Sequence, residues 1–461
     1  MTTVGSRAPG VAWQDVFVPP PPPFLTGIPA FVGYTDGPTA PGDDLVDQPQ
    51  VLTLWTHLEQ RFGPPPAAGY LAPAVRGFFE NGGVLCYVVR LRQAPVSLED
   101  ALTSALAALL SLDTVDLICV PDIMRDVTTV DSRAVARVAA RQQLVLDHCE
   151  RRGDRFAILD CLNTDALDGA AAAAAPAPVG SGPVPVPASA GPGAAPSAPS
   201  APSAPSAPSA PSAPAGVAPD DAEPVTVQAQ RARLQSGCGA LYHPWLLAPG
   251  GGGNPVSIPP CGHVAGIYSR TDQRVGVHKA PANEPVAGVL DLRHHLSGDE
   301  AGRLNDLGVN TIRAFPGRGL RVWGARTLGV DQDPLANYVN VRRLFTTVAR
   351  WLEQFMSAVS FEANDIRLWL RIMRELGAYC EGLFRQGALK GRTAEEAFYV
   401  KCDSDTNPPD VLAAGMVVTE LGLAPIAPAE FIVVRIVHGE SGVSLSPATP
   451  SPQPARPARP T

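Results

Sequence analysis

Apolar positions along this chain follow two alternating rhythms. Leu71 to Glu80 has the three-and-four spacing of a helix and is stopped by Gly82 and Gly83, after which Val84 to Leu91 is a continuous apolar run of buried-strand length. The pair repeats twice. Leu98 to Leu110 reads as helix and Val115 to Val120 as strand; Ser132 to Glu150 reads as helix, with Val135, Val138, Val145 and Cys149 on one stripe, and Phe156 to Leu159 as strand. Such alternation predicts an α/β fold, mixed α+β over the whole chain. A further strand is expected at Ala240 to Leu247, followed by turn-rich chain through Asn283.

A second block from about Leu290 carries the two longest helical patterns. Over Tyr338 to Val359, Val341, Leu344, Phe345, Val348, Leu352, Phe355 and Val359 share one face, with Arg342, Arg343, Arg350 and Glu353 expected on the wet face opposite. Asp365 to Gln386 follows, with Asn364 as expected cap, Gly387 as stop, and Trp369, Ile372, Leu376, Tyr379 and Leu383 inward. Phe398 to Cys402 and Glu430 to Val437 read as strands flanking a helix at Pro409 to Glu420.

Three stretches lack either rhythm. Pro19 to Pro23 impose a stiff polyproline spacer. From about Gly169 to Pro224, Ala, Pro, Gly and Ser dominate, including Ala-Pro-Ser repeats that bury too little apolar surface to offset their ordering entropy. From Ser444 the chain is again rich in Pro, Ser and Ala. The expected organisation is therefore an N-terminal arm (1–23), a first α/β part (24–168), a disordered insertion (169–224), a second α/β part (225–289), a C-terminal domain (290–437) and a C-terminal arm and disordered tail (438–461).

Charge and chemistry narrow the function. A formal net charge of −8, with no basic tract before the last residues, argues against nucleic acid as the main partner. No apolar run has the length of a bilayer span, and Met1 to Gly10 lacks a signal-peptide core, so folding in the cytoplasm without membrane insertion is expected. The eight cysteines lack Cys-x-x-Cys spacing, and the histidines lack metal-ligand spacing, so buried thiols and no metal are expected. Gly250 to Gly253 lacks the Lys-Ser/Thr of a phosphate loop, no Gly-x-Ser-x-Gly occurs, and no cofactor is expected. The most enzyme-like feature is Asp122 and Asp160, each just after an apolar strand, where open α/β sheets hold ligands. Turn or cap roles are the plainer reading. Arg313, Arg318, Arg321, Arg326, Arg342 and Arg343 form a local cationic excess, and Arg342, Arg343, Arg350 and Arg371 are candidates for a charge-matched interface.

Several motifs, in order, resemble the contractile tail sheath family of phage tails, R-type pyocins and extracellular contractile injection systems. They are Pro9-Gly10-Val11 with Ile28-Pro29-Ala30-Phe31-Val32-Gly33; Ala74-Val75-Arg76-Gly77-Phe78-Phe79-Glu80-Asn81-Gly82-Gly83 leading into Cys86-Tyr87-Val88-Val89-Arg90; Pro259-Pro260-Cys261-Gly262-His263-Val264-Ala265-Gly266 with Asp272 and Lys279-Ala280-Pro281-Ala282-Asn283; Gly308-Val309-Asn310 and Gly324-Ala325-Arg326-Thr327-Leu328; Tyr338 to Arg343; Phe361-Glu362; and Pro428 to Ile432. Together they cover most of residues 9–437 outside the insertion.

The resemblance implies a non-enzymatic subunit whose inner domain combines the N-terminal segment with the C-terminal block, and whose α/β part projects outward. It implies partners: further copies of the chain in a helical polymer, an inner tube, a baseplate and a terminator or cap. It also implies terminal arms that add strands to neighbouring subunits. For that linkage the candidates are Val11, Trp13, Val16 and Phe17, apolar residues with no core of their own, and Phe431, Val433, Val434 and Ile436 of the last strand. The competing readings are an α/β enzyme using Asp122 and Asp160, and a static surface-layer or adhesive protein.

Overall fold

A computed structural model describes residues 25–36, 45–66, 69–93, 96–127, 129–164, 226–250, 254–329, 337–428, 434–439 and 442–447. In chain order its body comprises β1 (Pro29–Gly33), β2 (Gln50–Leu52), α1 (Thr56–Phe62), α2 (Leu71–Glu80), β3 (Cys86–Arg90), α3 (Leu98–Ala108), β4 (Leu117–Cys119), α4 (Ser132–Arg152) and β5 (Phe156–Asp160). It continues through α5 (Val227–Ala232), β6 (Gly239–His243), β7 (Leu246–Pro249), β8 (Pro255–Ile258), α6 (Cys261–Arg274), β9 (Asp291–Leu292), α7 (Gly298–Asp306), β10 (Val309–Phe315) and β11 (Gly319–Trp323). The C-terminal block holds α8 (Val339–Val359), α9 (Ile366–Arg385), α10 (Ala394–Ala397), β12 (Phe398–Lys401), α11 (Pro409–Ala413) and β13 (Glu420–Leu423), followed by β14 (Val434–Gly439) and β15 (Gly442–Pro447).

Eight strands form one sheet in the order β11-β10-β6-β5-β4-β1-β3-β2. Its middle is parallel, and β2 and β11 are antiparallel edges. Because successive strand residues face opposite ways, the sheet feeds two cores. Ala30, Val32, Ile118, Ala157, Leu159 and Leu241 pack under α3, α4, α5 and α7. Phe31, Val88, Leu117, Phe156, Ile158 and Tyr242 pack under α1, α2 and α6. The expected α/β fold is thus a three-layer sandwich. The helix starts are capped by Ser97, Asp131, Thr226 and Ser297, the last in a reciprocal capping box with Glu300.

Several expectations change. The sheet does not end before residue 290: β10 and β11 extend it, so the boundary drawn there cuts through one sheet. Pro244, with no N–H for a ladder, divides the expected 240–247 strand into β6, inside the large sheet, and β7, which pairs with β8 and β9. The region read as turn-rich contains α6, 14 residues long. It is buried almost all round, from Cys261 through Tyr268, so it carries no amphipathic period to detect. The helix expected over 409–420 stops at Ala413, before Gly415 at φ 70°, and Glu420 instead opens a strand paired with β12. The tail read as disordered from Ser444 holds β15, whose Val443-Ser444-Leu445-Ser446 alternation suits a strand.

The described chain leaves the body at Thr164 and re-enters at Thr226. A buried glutamine clamps the two ends together. Gln230 accepts the Leu162 N–H at 2.8 Å and donates to the Gln142 Oε1 at 2.8 Å and the Asp160 carbonyl at 3.1 Å.

Candidate functional site

The feature with most structural consequence is the joint between the sheet body and α8. Arg343, 4% exposed, makes a bidentate pair with Asp272 at 2.9 and 2.6 Å and reaches Asp116 at 3.1 Å. Its guanidinium also lies 5.0 Å from the centre of the Tyr268 ring. Burial opposes its charge, yet the two carboxylates outweigh that and hold it protonated well above its ordinary range. Asp116, just before β4, also accepts the Gly27 N–H at 2.9 Å and the Ile28 N–H at 2.6 Å. Gly27 sits at φ 72°, and a Cβ placed on it would lie 2.6 Å from the Ser269 Cα of α6, so the position has no room for a side chain. One buried cluster therefore ties the segment before β1, the α6 helix and α8 together. Arg350 strengthens it by donating to the Asp113 carbonyl at 2.7 Å, and Asn340 donates to the His278 carbonyl at 2.8 Å.

This corrects the arginine reading. Arg343 and Arg350 are buried, and Arg342 is half-buried and donates to Cys238 Sγ at 3.1 Å. The face expected to be wet docks α8 on the body, while Leu344 and Val348 pack against Ala388 and Leu389 of its own block. Of the four candidates only Arg371, on α9, is exposed; it pairs with Glu362. Asp365, not Asn364, caps α9, accepting the N–H groups of Arg367 at 2.9 Å and Leu368 at 3.2 Å. Asn364 instead accepts the Trp369 Nε1–H at 3.0 Å.

The two aspartates that look enzyme-like are engaged by backbone. In strand order the parallel part reverses direction between β1 and β4, the crevice where open α/β sheets bind ligands. Asp122 fills it, accepting the Tyr34 N–H at 2.7 Å and the Tyr70 N–H at 2.6 Å, with Leu71 close behind Gly33. Burial raises its pKa against those bonds. Asp160 accepts the Cys261 N–H at 2.8 Å, an orphan donor at the start of α6. Burial pushes the Asp160 carboxyl up to about 7. A folded-state pKa above the unfolded value, about 4, gives stability that is present below that value and lost as pH rises through about 7. Asp160→Asn keeps the acceptor and removes the titration. Denaturant midpoints measured between about pH 4 and 8 should therefore fall less steeply with rising pH in this variant than in the parent, and equal slopes would refute the assignment.

All eight cysteines are buried and free. Among the described residues no cluster of three His, Cys, Asp or Glu could hold a metal, and no helix is long and apolar enough to cross a membrane. Of the linkage candidates, Val11, Trp13, Val16, Phe17, Phe431 and Val433 lie outside the described residues. Val434 and Ile436 lie in β14, opposite Pro447 and Leu445 of β15, and among the described residues this hairpin pairs with no other strand. Asp116 and Gly27 escaped the sequence reading altogether. The signal for Asp116 was a carboxylate placed at the mouth of an apolar strand. Asp272 stood out only as part of a motif.

Comparison with known proteins fits this architecture. The family profile "phage tail sheath protein central domain" matches residues 215–328 and "phage tail sheath C-terminal domain" matches residues 331–438. The break between them falls where the chain leaves the large sheet. The tail sheath protein of Salmonella phage ViI is 27% identical over 185 residues, 36% of this chain and 26% of the phage protein, so the match spans about a quarter of that relative. The helical sheath of the anti-feeding prophage in its contracted state superposes with a TM-score of 0.63 at 25% identity, covering 95% of this chain and 100% of that one. A chain of the anti-feeding prophage baseplate gives 0.64 at 25% identity, covering 94% and 99%. Family profiles, aligned sequence and near-complete superposition agree: the chain belongs to the contractile tail sheath family.

Proposed function

We propose that this chain is a structural subunit that polymerises helically around an inner tube and contracts to drive the tube through a target envelope. The near end-to-end likeness to a contracted sheath carries the reading. Subunits assemble on the tube from a baseplate, stop at a terminator or cap, and wait in an extended state held by a barrier. A trigger then releases rotation of each subunit as one body about its arm linkages. Assembly takes place in the cytoplasm, and the particle leaves by lysis. No catalytic step is required. The aspartates an enzyme would use are already committed to backbone donors.

The arms suit the linkage. A lone two-stranded hairpin is marginal in water, so β14–β15 gains by joining another sheet edge. Contacts that repeat head to tail without closing generate helical filaments. For the tube contact we favour α9, because α8 spends its arginines inside the subunit, whereas Arg371 and Arg374 on α9 are exposed beside Leu370.

Electron microscopy of the full chain with its tube protein should show hollow cylinders. Deleting residues 1–23 should leave folded monomers and no cylinders, and normal cylinders would overturn the arm model. Arg371→Glu with Arg374→Glu should abolish decoration of the tube while circular dichroism stays unchanged. Undiminished decoration would exclude α9.

A further inference from the structure

A groove of about 190 Å³ opens between α1, α2 and the β7–β8 hairpin. Trp55, Pro65, Pro73 and Pro249 line its outer part, and Ile258 and His263 its buried part. Trp55 is 40% exposed, with the Arg76 guanidinium 5.5 Å from its ring centre. His263 is only 2% exposed, and its Nδ1 has no hydrogen-bond partner. Burial, then Arg76, lowers its pKa to about 4, so the ring is neutral. Arg76 pairs with Glu80 at 2.7 Å, which leaves the exposed Glu59 as the surplus charge of the lining.

Aromatic and proline surface beside a carboxylate is the chemistry that recognises a proline-rich strand carrying cations. The chain ends in such a segment. After Pro447 come fourteen residues that include Pro454-Ala455-Arg456-Pro457-Ala458-Arg459-Pro460. A polyproline II chain has three residues per turn. That period places Pro454, Pro457 and Pro460 along one edge and Arg456 and Arg459 along the next.

We propose that this groove docks the chain's own 454–460 segment, with the proline edge on Trp55 and its neighbouring prolines and the arginine edge toward Glu59. Pro19 to Pro23 lack the cations, and the Ala-Pro-Ser repeats have the same proline period without them. Charge complementarity therefore selects the C-terminal segment. The proposal concerns the unassembled chain and stands whether or not it forms cylinders.

Disulfide trapping in the full chain tests it. The native cysteines are all buried, so introduced exposed thiols react alone. Pro65→Cys combined with Ala458→Cys should cross-link about tenfold faster than Pro65→Cys combined with Ser206→Cys, through the higher local concentration of a docked segment. A loop within one chain or a dimer of two chains both support the docking. The advantage should vanish with Arg456→Glu plus Arg459→Glu, and separately with Trp55→Ala. Equal rates for the two cysteine pairs, or an advantage that survives charge reversal, would overturn the proposal.

Discussion

Arg343→Met is expected to destabilise the subunit by about 3 to 5 kcal/mol, because it leaves Asp272 and Asp116 buried without their cation. Both carboxylates are nearly inaccessible to water, Asp116 at 4% and Asp272 at 8% exposure. Asp116 keeps its two N–H donors from Gly27 and Ile28, so the larger penalty falls on Asp272, whose bidentate partner is gone. Removing both charges together, Arg343→Met with Asp272→Met, should recover most of the loss, since well-packed apolar residues often replace a buried ion pair without net cost. Arg343→Lys should fall between, with one point charge in place of a fork. Urea denaturation measures all three. A single-variant loss below about 1 kcal/mol would show the cluster to be incidental to the joint.

The second large effect concerns how α2 and α6 approach. Gly262 and Gly266 lie against the Ala74 and Phe78 carbonyls, and Gly77 lies against the His263 ring. A Cβ at Gly262 would overlap the Ala74 backbone, which has no flexible end to move aside. Gly262→Ala should therefore cost about 1 to 3 kcal/mol, and Gly262→Leu more. The sign is diagnostic. In an open helix the same change gains about 0.5 to 1 kcal/mol from backbone entropy. Gly302, inside α7 with nothing within 4 Å of a built Cβ, provides that control. Opposite signs for Gly262→Ala and Gly302→Ala in one denaturation series would establish the backbone contact; a gain at both would refute it.

The parts of the fold legible in the sequence were those whose two faces differ. The α2 helix, at Leu71–Glu80, coincides with its expected range because a glycine pair ends it and one stripe is apolar. The strands at 86–90, 117–119 and 156–160 were found as continuous apolar runs, which is how strands covered on both faces read. The α6 helix escaped because burial on every side erases the period, and its two glycines imitate a loop. The joint was hidden for a related reason. On α8, arginines opposite an apolar stripe have the pattern of a solvated face, and only tertiary structure shows that Asp116 and Asp272, remote in sequence, converge on Arg343. The family motifs named Asp272 and, separately, Tyr338 to Arg343, without pairing them.

The clamp at Gln230 has a bearing on what this subunit can carry. Because Leu162, Gln142 and the Asp160 carbonyl close the stem from inside, its two ends are held together by hydrogen bonds within the described body. Loop-closure cost grows slowly, by about 0.6 kcal/mol for each doubling of length. The stem thus acts as a mounting bracket: a longer, shorter or foreign peptide can be carried between its two ends while Gln230 keeps them joined to the sheet body.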